Sequence, residues 1–155
     1  MLFRSVCEPV AEKVAPASDS HGRVSLQYSL AEALVRGKLG VDSYSNECLR
    51  DPVILALARK IIYVVDKEAP GRGQYKGWVI VHTKDGRKLE RVEPYNRGSA
   101  ENPMSADDVR AKFRENSARA LDKTNIEAMI SKVDRLEKEP AIGALVDLCV
   151  CKSSR

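Results

Sequence analysis

The sequence predicts an α+β fold: a small antiparallel sheet with helices on one face, followed by a purely helical end. Three stretches predict it. Residues 23–40, RVSLQYSLAEALVRGKLG, repeat their apolar residues at helical spacing. Residues 78–92 alternate apolar and polar side chains on either side of Asp85-Gly86, the signature of a hairpin. Beyond residue 104, Ser105 with Asp108 and Thr124 with Glu127 each open an amphipathic run in the manner of a capping box.

In chain order, residues 2–7 (LFRSVC) have the composition of a short strand, and EPVAEKVAPASD, with two prolines, reads as an extended connection. Leu2-Phe3-Arg4-Ser5 is also what the sequencing-adapter tail CTCTTCCGATCT encodes, so the expectation is a reading frame that begins inside a longer gene, with Met1–Ser5 not native. Ser18, Asp19, Ser20, His21 and Gly22 favour a turn and supply capping oxygens for the helix over 23–37, which Gly37 closes in the left-handed conformation. On that helix Ser25, Ser29, Glu32 and Arg36 share one narrow stripe, and the apolar residues cover nearly everything else, so it is expected to be mostly buried. Gln27 and Tyr28 fall on the buried side. A buried amide needs partners, so the two are either a satisfied core pair or the wall of a site.

Asp51 and Pro52 mark the start of a further helix whose buried face is Val53, Leu57 and Ile61 with Ile54 and Ala58. The β-branched run at 62–66 predicts a strand, and 66–77 a polar loop. The hairpin follows, with Asp85-Gly86 predicting a type I′ turn. Because two strands alone are barely stable in water, those at 2–7 and 62–66 are the expected partners of the hairpin, and the helices at 23–37 and 51–61 its cover. Residues 93–104 hold two prolines and Gly98 and predict an irregular, pinned loop. Three helices are expected after it, carrying Val109, Phe113 and Ala120, then Ile126, Met129, Ile130, Val133 and Leu136, and last, from Pro140, Ile142, Leu145, Val146 and Cys149, ahead of a frayed KSSR tail. The domain division implied is 1–103, α+β, and 104–155, helical.

Composition narrows the functional classes. With 155 residues, 43% hydrophobic and 31% charged, the chain is long enough for a real core and ordinary for a soluble globular protein. Its 26 Lys and Arg against 22 Asp and Glu leave a formal charge of +4, interleaved rather than patched, which suits small anionic substrates and argues against nucleic acid. No apolar run reaches bilayer length and the start lacks a secretory h-region, so no membrane partner and a cytoplasmic setting are expected. The four cysteines, at 7, 48, 149 and 151, fit neither a disulfide framework nor a zinc site, and no metal is expected.

No self-contained catalytic constellation is present. His82 in the hairpin and His21 in a turn read as exposed or structural imidazoles. The glycines at 71, 73 and 77 lack the strand-loop-helix context of a phosphate loop, and Lys84, Arg87, Lys88 and Arg91 read as solvated hairpin charges. The candidates left are Tyr28 and Gln27, with Arg23 one turn earlier: a phenol can protonate a leaving group, and an arginine can hold a carboxylate with two parallel bonds.

HGRVSLQYSLAEALVRGKLG, the KDGRKLE hairpin and ENPMSADDVRAKFRENS together resemble, in the same order, the C-terminal third of the MmgE/PrpD family, over about residues 20–148. That family includes 2-methylcitrate dehydratase, cis-aconitate decarboxylase and an iminodisuccinate epimerase. The resemblance implies a two-domain, homodimeric enzyme that needs no cofactor and acts on a small di- or tricarboxylate. Residues up to about 103 correspond to most of its α+β lid, and the last three helices to the segment that returns to its large helical domain. Tyr28 matches a tyrosine that lines the active site and becomes the catalytic candidate, with Arg23, Gln27 and Ser25 as substrate-binding support. The family's catalytic histidines, lysines and acidic residue belong upstream, so this chain alone is expected to be inactive, with the apolar faces of its last helices exposed. The alternative is a non-enzymatic, lid-like binding or interaction module that completes a separately encoded partner.

Overall fold

A computed structural model describes residues 6–64 and 76–150. The chain divides into two compact units, Met1–Val65 and Asp66–Arg155, each described by itself; the boundary expected at 103 and 104 falls inside the second. The class is α+β: seven α-helices and one two-stranded antiparallel sheet lie among the described residues.

The first unit is helical. α1 (Val10–Val14) follows Pro9, where an extended connection was expected: proline is tolerated at the entrance of a helix, and VAEKV contains nothing that breaks one. The strand expected at 2–7 lies partly outside the described residues. Its described end, Val6 and Cys7, is helical and turn-like rather than extended. α2 (Asp19–Arg23) takes Ser18 as its N-cap, with the His21 amide donating to Ser18 Oγ at 3.4 Å. The Ser18 cluster therefore starts α2, and the central helix, α3 (Leu26–Arg36), has a cap of its own in Ser25. Gly37 closes α3 at φ 77°, as expected.

Two 3₁₀ turns, Val41–Tyr44 and Cys48–Arg50, lead to α4 (Pro52–Ala58). Asp51 caps α4 through the Val53 and Ile54 amides at 2.8 and 3.5 Å, and Pro52 occupies its first turn. The core of this unit is Tyr28, Ala31, Leu49, Ile54 and Ala58. Val53, expected in the buried face of α4, is 61% exposed, because Ile54 and Ala58 are the residues turned inward. No strand follows. Ile62 and Val64 are 85% and 86% exposed in irregular backbone, since β-branched propensity without a partner strand leaves the ladder groups unpaired. The rest of the strand and loop expected at 62–77 lies mostly outside the described residues.

In the second unit, β1 (Gly77–His82) pairs with β2 (Lys88–Glu93) in the register Gly77 with Glu93 through His82 with Lys88. Among the described residues the sheet has these two strands only, so the additional pairing expected from 2–7 and 62–66 is absent there. The turn also differs from expectation. Gly86 has φ 85° while Asp85 does not cross into positive φ, and the Gly86 amide reaches the Thr83 carbonyl at 3.1 Å, so a type I turn with glycine after it replaces the type I′ turn. Asp85 holds the Arg87 guanidinium at 2.7 Å.

Residues 93–104 form a pinned loop, with the Gly98 amide on the Asn102 carbonyl at 2.7 Å and Asn102 Nδ2 on the Tyr95 carbonyl at 3.2 Å. α5 (Ala106–Ser117) begins with the expected reciprocal box: the Asp108 amide donates to Ser105 Oγ at 3.0 Å, and the Ser105 amide to Asp108 Oδ2 at 3.1 Å. α6 (Lys123–Val133) is capped by Asp122 rather than Thr124, since the Asp122 carboxylate reaches the Asn125 amide at 2.8 Å. In place of a long helix from Pro140 stand 3₁₀ turns at Leu136–Lys138 and Asp147–Cys149 around the single-turn α7 (Gly143–Val146). Val109, Val133, Ile142 and Val146 are exposed.

Candidate functional site

The site candidates cluster at the start of α3, and local chemistry fixes that turn. Ser25 Oγ accepts from the Tyr28 amide at 3.0 Å and donates to the Lys13 carbonyl, so one buried hydroxyl both caps α3 and ties it to α1. Lys13 returns the link: its ammonium, itself buried, donates to the Val24 carbonyl at 2.9 Å. Gln27 is buried as expected, and its Nε2 donates to the Cys7 carbonyl at 3.0 Å while its Oε1 has no partner among the described residues. Burial and the neighbouring Glu8 push the Cys7 thiol up, against a smaller opposing pull from Lys13.

Tyr28 is fully buried, and its hydroxyl donates to the Ser43 carbonyl at 2.8 Å. Burial, with the charge of Glu32 second, pushes the Tyr28 phenol well above its ordinary range, so it stays protonated and keeps its proton for donation. Its ring lies 6.0 Å from that of Tyr44, tilted by 43°.

Arg23 is placed differently. It ends α2 with its side chain half exposed, 3.9 Å from Asp19 Oδ2, and its guanidinium carbon sits 5.1 Å from the centre of the Tyr44 ring. Tyr44 and Ser29 share a hydroxyl–hydroxyl contact of 3.0 Å. Gly22 permits this stacking, because a Cβ there would stand 2.9 Å from Tyr44 Cδ1 and 3.0 Å from Leu49 Cδ2. Tyr28, Gln27 and Ser25 thus belong to one buried turn, whereas Arg23 faces solvent beside it.

The stripe of Ser25, Ser29, Glu32 and Arg36 is not the outer face of α3. Ser25 and Glu32 are buried, and Leu26, Leu34 and Val35 are exposed. From the exposed end of α3, Arg36 Nε lies 3.3 Å from the buried Glu32 carboxylate and Arg36 Nη2 lies 3.1 Å from Asp51 Oδ2, joining α3 to the cap of α4. Lys13 is a buried charge that helical spacing did not single out, and Glu32, which it placed on the polar stripe, is buried as well. An acid and a base on opposite sides of Tyr28 in the sequence give no signal until the chain is folded.

Arg87, Lys88 and Arg91 of the hairpin pair with Asp85, Glu90 and Glu93, and His82 ends β1. Among the described residues, no group of three or more His, Cys, Asp and Glu is placed to hold a metal, and no helix is long and apolar enough to cross a membrane.

Residues 2–138 match the family model of the MmgE/PrpD C-terminal domain, and the chain belongs to that family. A cis-aconitate decarboxylase of Mus musculus is 26% identical over 123 residues, 79% of this chain and 25% of the relative. A cis-aconitate decarboxylase-like protein of Aspergillus oryzae is 24% identical over 151 residues, 93% of this chain and 31% of the relative. A mitochondrial 2-methylcitrate dehydratase of Yarrowia lipolytica is 34% identical over 74 residues, 44% of this chain and 14% of the relative. The chain therefore spans at most about a third of the curated relatives it matches.

Proposed function

We propose that this chain is the C-terminal portion of a cofactor-independent lyase that acts on a small di- or tricarboxylate, with the complete enzyme a homodimer. The observation that carries the reading is the family match over residues 2–138, together with relatives named for decarboxylation and dehydration. Either reaction builds negative charge next to a carboxylate, and the charge needs a cation and a proton donor close by. The start of α3 supplies both types. Arg23 grips a substrate carboxylate with its half-exposed guanidinium. Tyr28, held protonated by burial, gives a hydrogen bond to the substrate after exchanging the Ser43 carbonyl for a substrate oxygen. Ser25 and Gln27 hold the turn that presents it. The proton-abstracting base comes from the part of the relatives' length that this chain does not span, so the chain alone turns nothing over.

The test is Tyr28→Phe in the full-length enzyme, assayed on cis-aconitate and 2-methylcitrate. The expected result is a fall in turnover of about 10²–10⁴-fold. Unchanged turnover with a lower melting temperature instead makes Tyr28 a core residue.

A further inference from the structure

We propose that Tyr44 is a positioning residue that holds the Arg23 guanidinium in place to receive a substrate carboxylate; the inference rests on the carboxylate-binding role proposed above for Arg23. Four independent contacts fix the Tyr44 ring. Its face lies under the Arg23 guanidinium, with 5.1 Å from the guanidinium carbon to the ring centre. Its edge lies against the backbone of Gly22, where a Cβ would come within 2.9 Å of Cδ1. Its hydroxyl meets Ser29 Oγ at 3.0 Å, and its ring packs against that of Tyr28 at 6.0 Å. The ring is thus clamped from α2 and from α3, and it meets both Arg23 and Tyr28.

An arginine left half exposed on a short helix has many rotamers, and fixing one of them for a ligand costs conformational entropy. A ring beneath the planar guanidinium removes that freedom in advance, while the edge of the guanidinium, with its N–H groups, stays open to a carboxylate. Asp19 at 3.9 Å is too distant to occupy that edge with a hydrogen bond. The hydroxyl of Tyr44 is turned to Ser29, so the ring rather than the phenol oxygen serves Arg23.

The experiment is a titration of the chain with cis-aconitate, followed through the side-chain Nε–Hε resonance of Arg23 by NMR. In the wild type this resonance is expected to carry a ring-current shift and to move saturably. Tyr44→Leu is expected to lose the ring-current shift and weaken binding roughly 3–5-fold. Tyr44→Phe, which keeps the ring, rescues both, and Arg23→Ala abolishes binding. If Tyr44→Leu binds like the wild type while Arg23→Ala does not bind, the role of Tyr44 is overturned and that of Arg23 stands. If Arg23→Ala binds like the wild type, or the wild type does not bind, the carboxylate reading of Arg23 falls and this inference with it. A wild-type Arg23 resonance without a ring-current shift overturns the positioning role even where Tyr44→Leu fails to fold.

Discussion

The Arg114 guanidinium meets the Glu127 carboxylate through two parallel hydrogen bonds, Nε to Oε1 at 2.6 Å and Nη2 to Oε2 at 2.9 Å, and so joins α5 to α6. Arg110 adds a second link, to Asp134 at 3.0 and 3.2 Å. Polar links matter here because Ile126 is the one residue of α6 that is buried.

The Arg114 bonds hold the Glu127 carboxyl below its ordinary range. Its affinity for protons is therefore lower folded than unfolded, so the stabilisation is present above the unfolded carboxyl value and is lost as pH falls through the folded one. Glu127→Gln should lower the melting temperature at neutral pH, and the gap from wild type should close below about pH 4. The gap should also narrow in molar salt, because both side chains are partly exposed. A gap that is the same at all pH values would show that the charge of Glu127 contributes nothing.

Ser25→Ala removes the cap of α3 and the hydroxyl that reaches the Lys13 carbonyl. The expected loss is about 0.5–2 kcal/mol, read as a shift in the urea midpoint. Ser18→Ala, which loses only a 3.4 Å contact at a more open site, should shift the midpoint less. Equal shifts would mean that the tie to α1 adds nothing to the cap.

Tyr28 gives the opposite pH dependence to Glu127. Its phenol pKa is raised by burial, so the stability it contributes is complete below the unfolded phenol value, near about 10, and drains away as pH rises beyond it. The urea midpoint of the wild type should fall steeply across that range. Tyr28→Phe should start lower, having left the Ser43 carbonyl without its donor, and should fall less steeply. Parallel curves would place the alkaline transition elsewhere.

The local signals in the sequence translated well. Asp51 with Pro52, Ser105 with Asp108, and Gly37 each sit where cap chemistry puts them, because a cap is settled within four residues. The two strands of the hairpin followed from alternation, but their register did not: a two-residue turn at Asp85-Gly86 would set Thr83 opposite Lys88, whereas His82 pairs with Lys88 and Asp85 stays at negative φ. The facing of α3 was legible only in part: Gln27 and Tyr28 turn inward as expected, but the burial of Ser25 and Glu32 and the exposure of Leu26, Leu34 and Val35 were not foreseen. Its polar residues turn inward because carbonyls far away in the sequence, those of Cys7, Lys13 and Ser43, receive Gln27, Ser25 and Tyr28. Helical periodicity counts apolar residues and has no access to such partners. The same limit hid Tyr44: nothing in VDSY marks the ring on which Arg23 rests.

The gap between Gly22 and Tyr44 ties two positions into one unit of inheritance. A methyl group gained at 22 collides with the ring at 44, so the ring has to shrink or move before the methyl can be accepted. A lineage that takes that path gives up the platform under Arg23 first and gains the side chain at 22 second. The reverse order passes through a misfit with that ring, and Leu49 Cδ2 at 3.0 Å has to give way on either path.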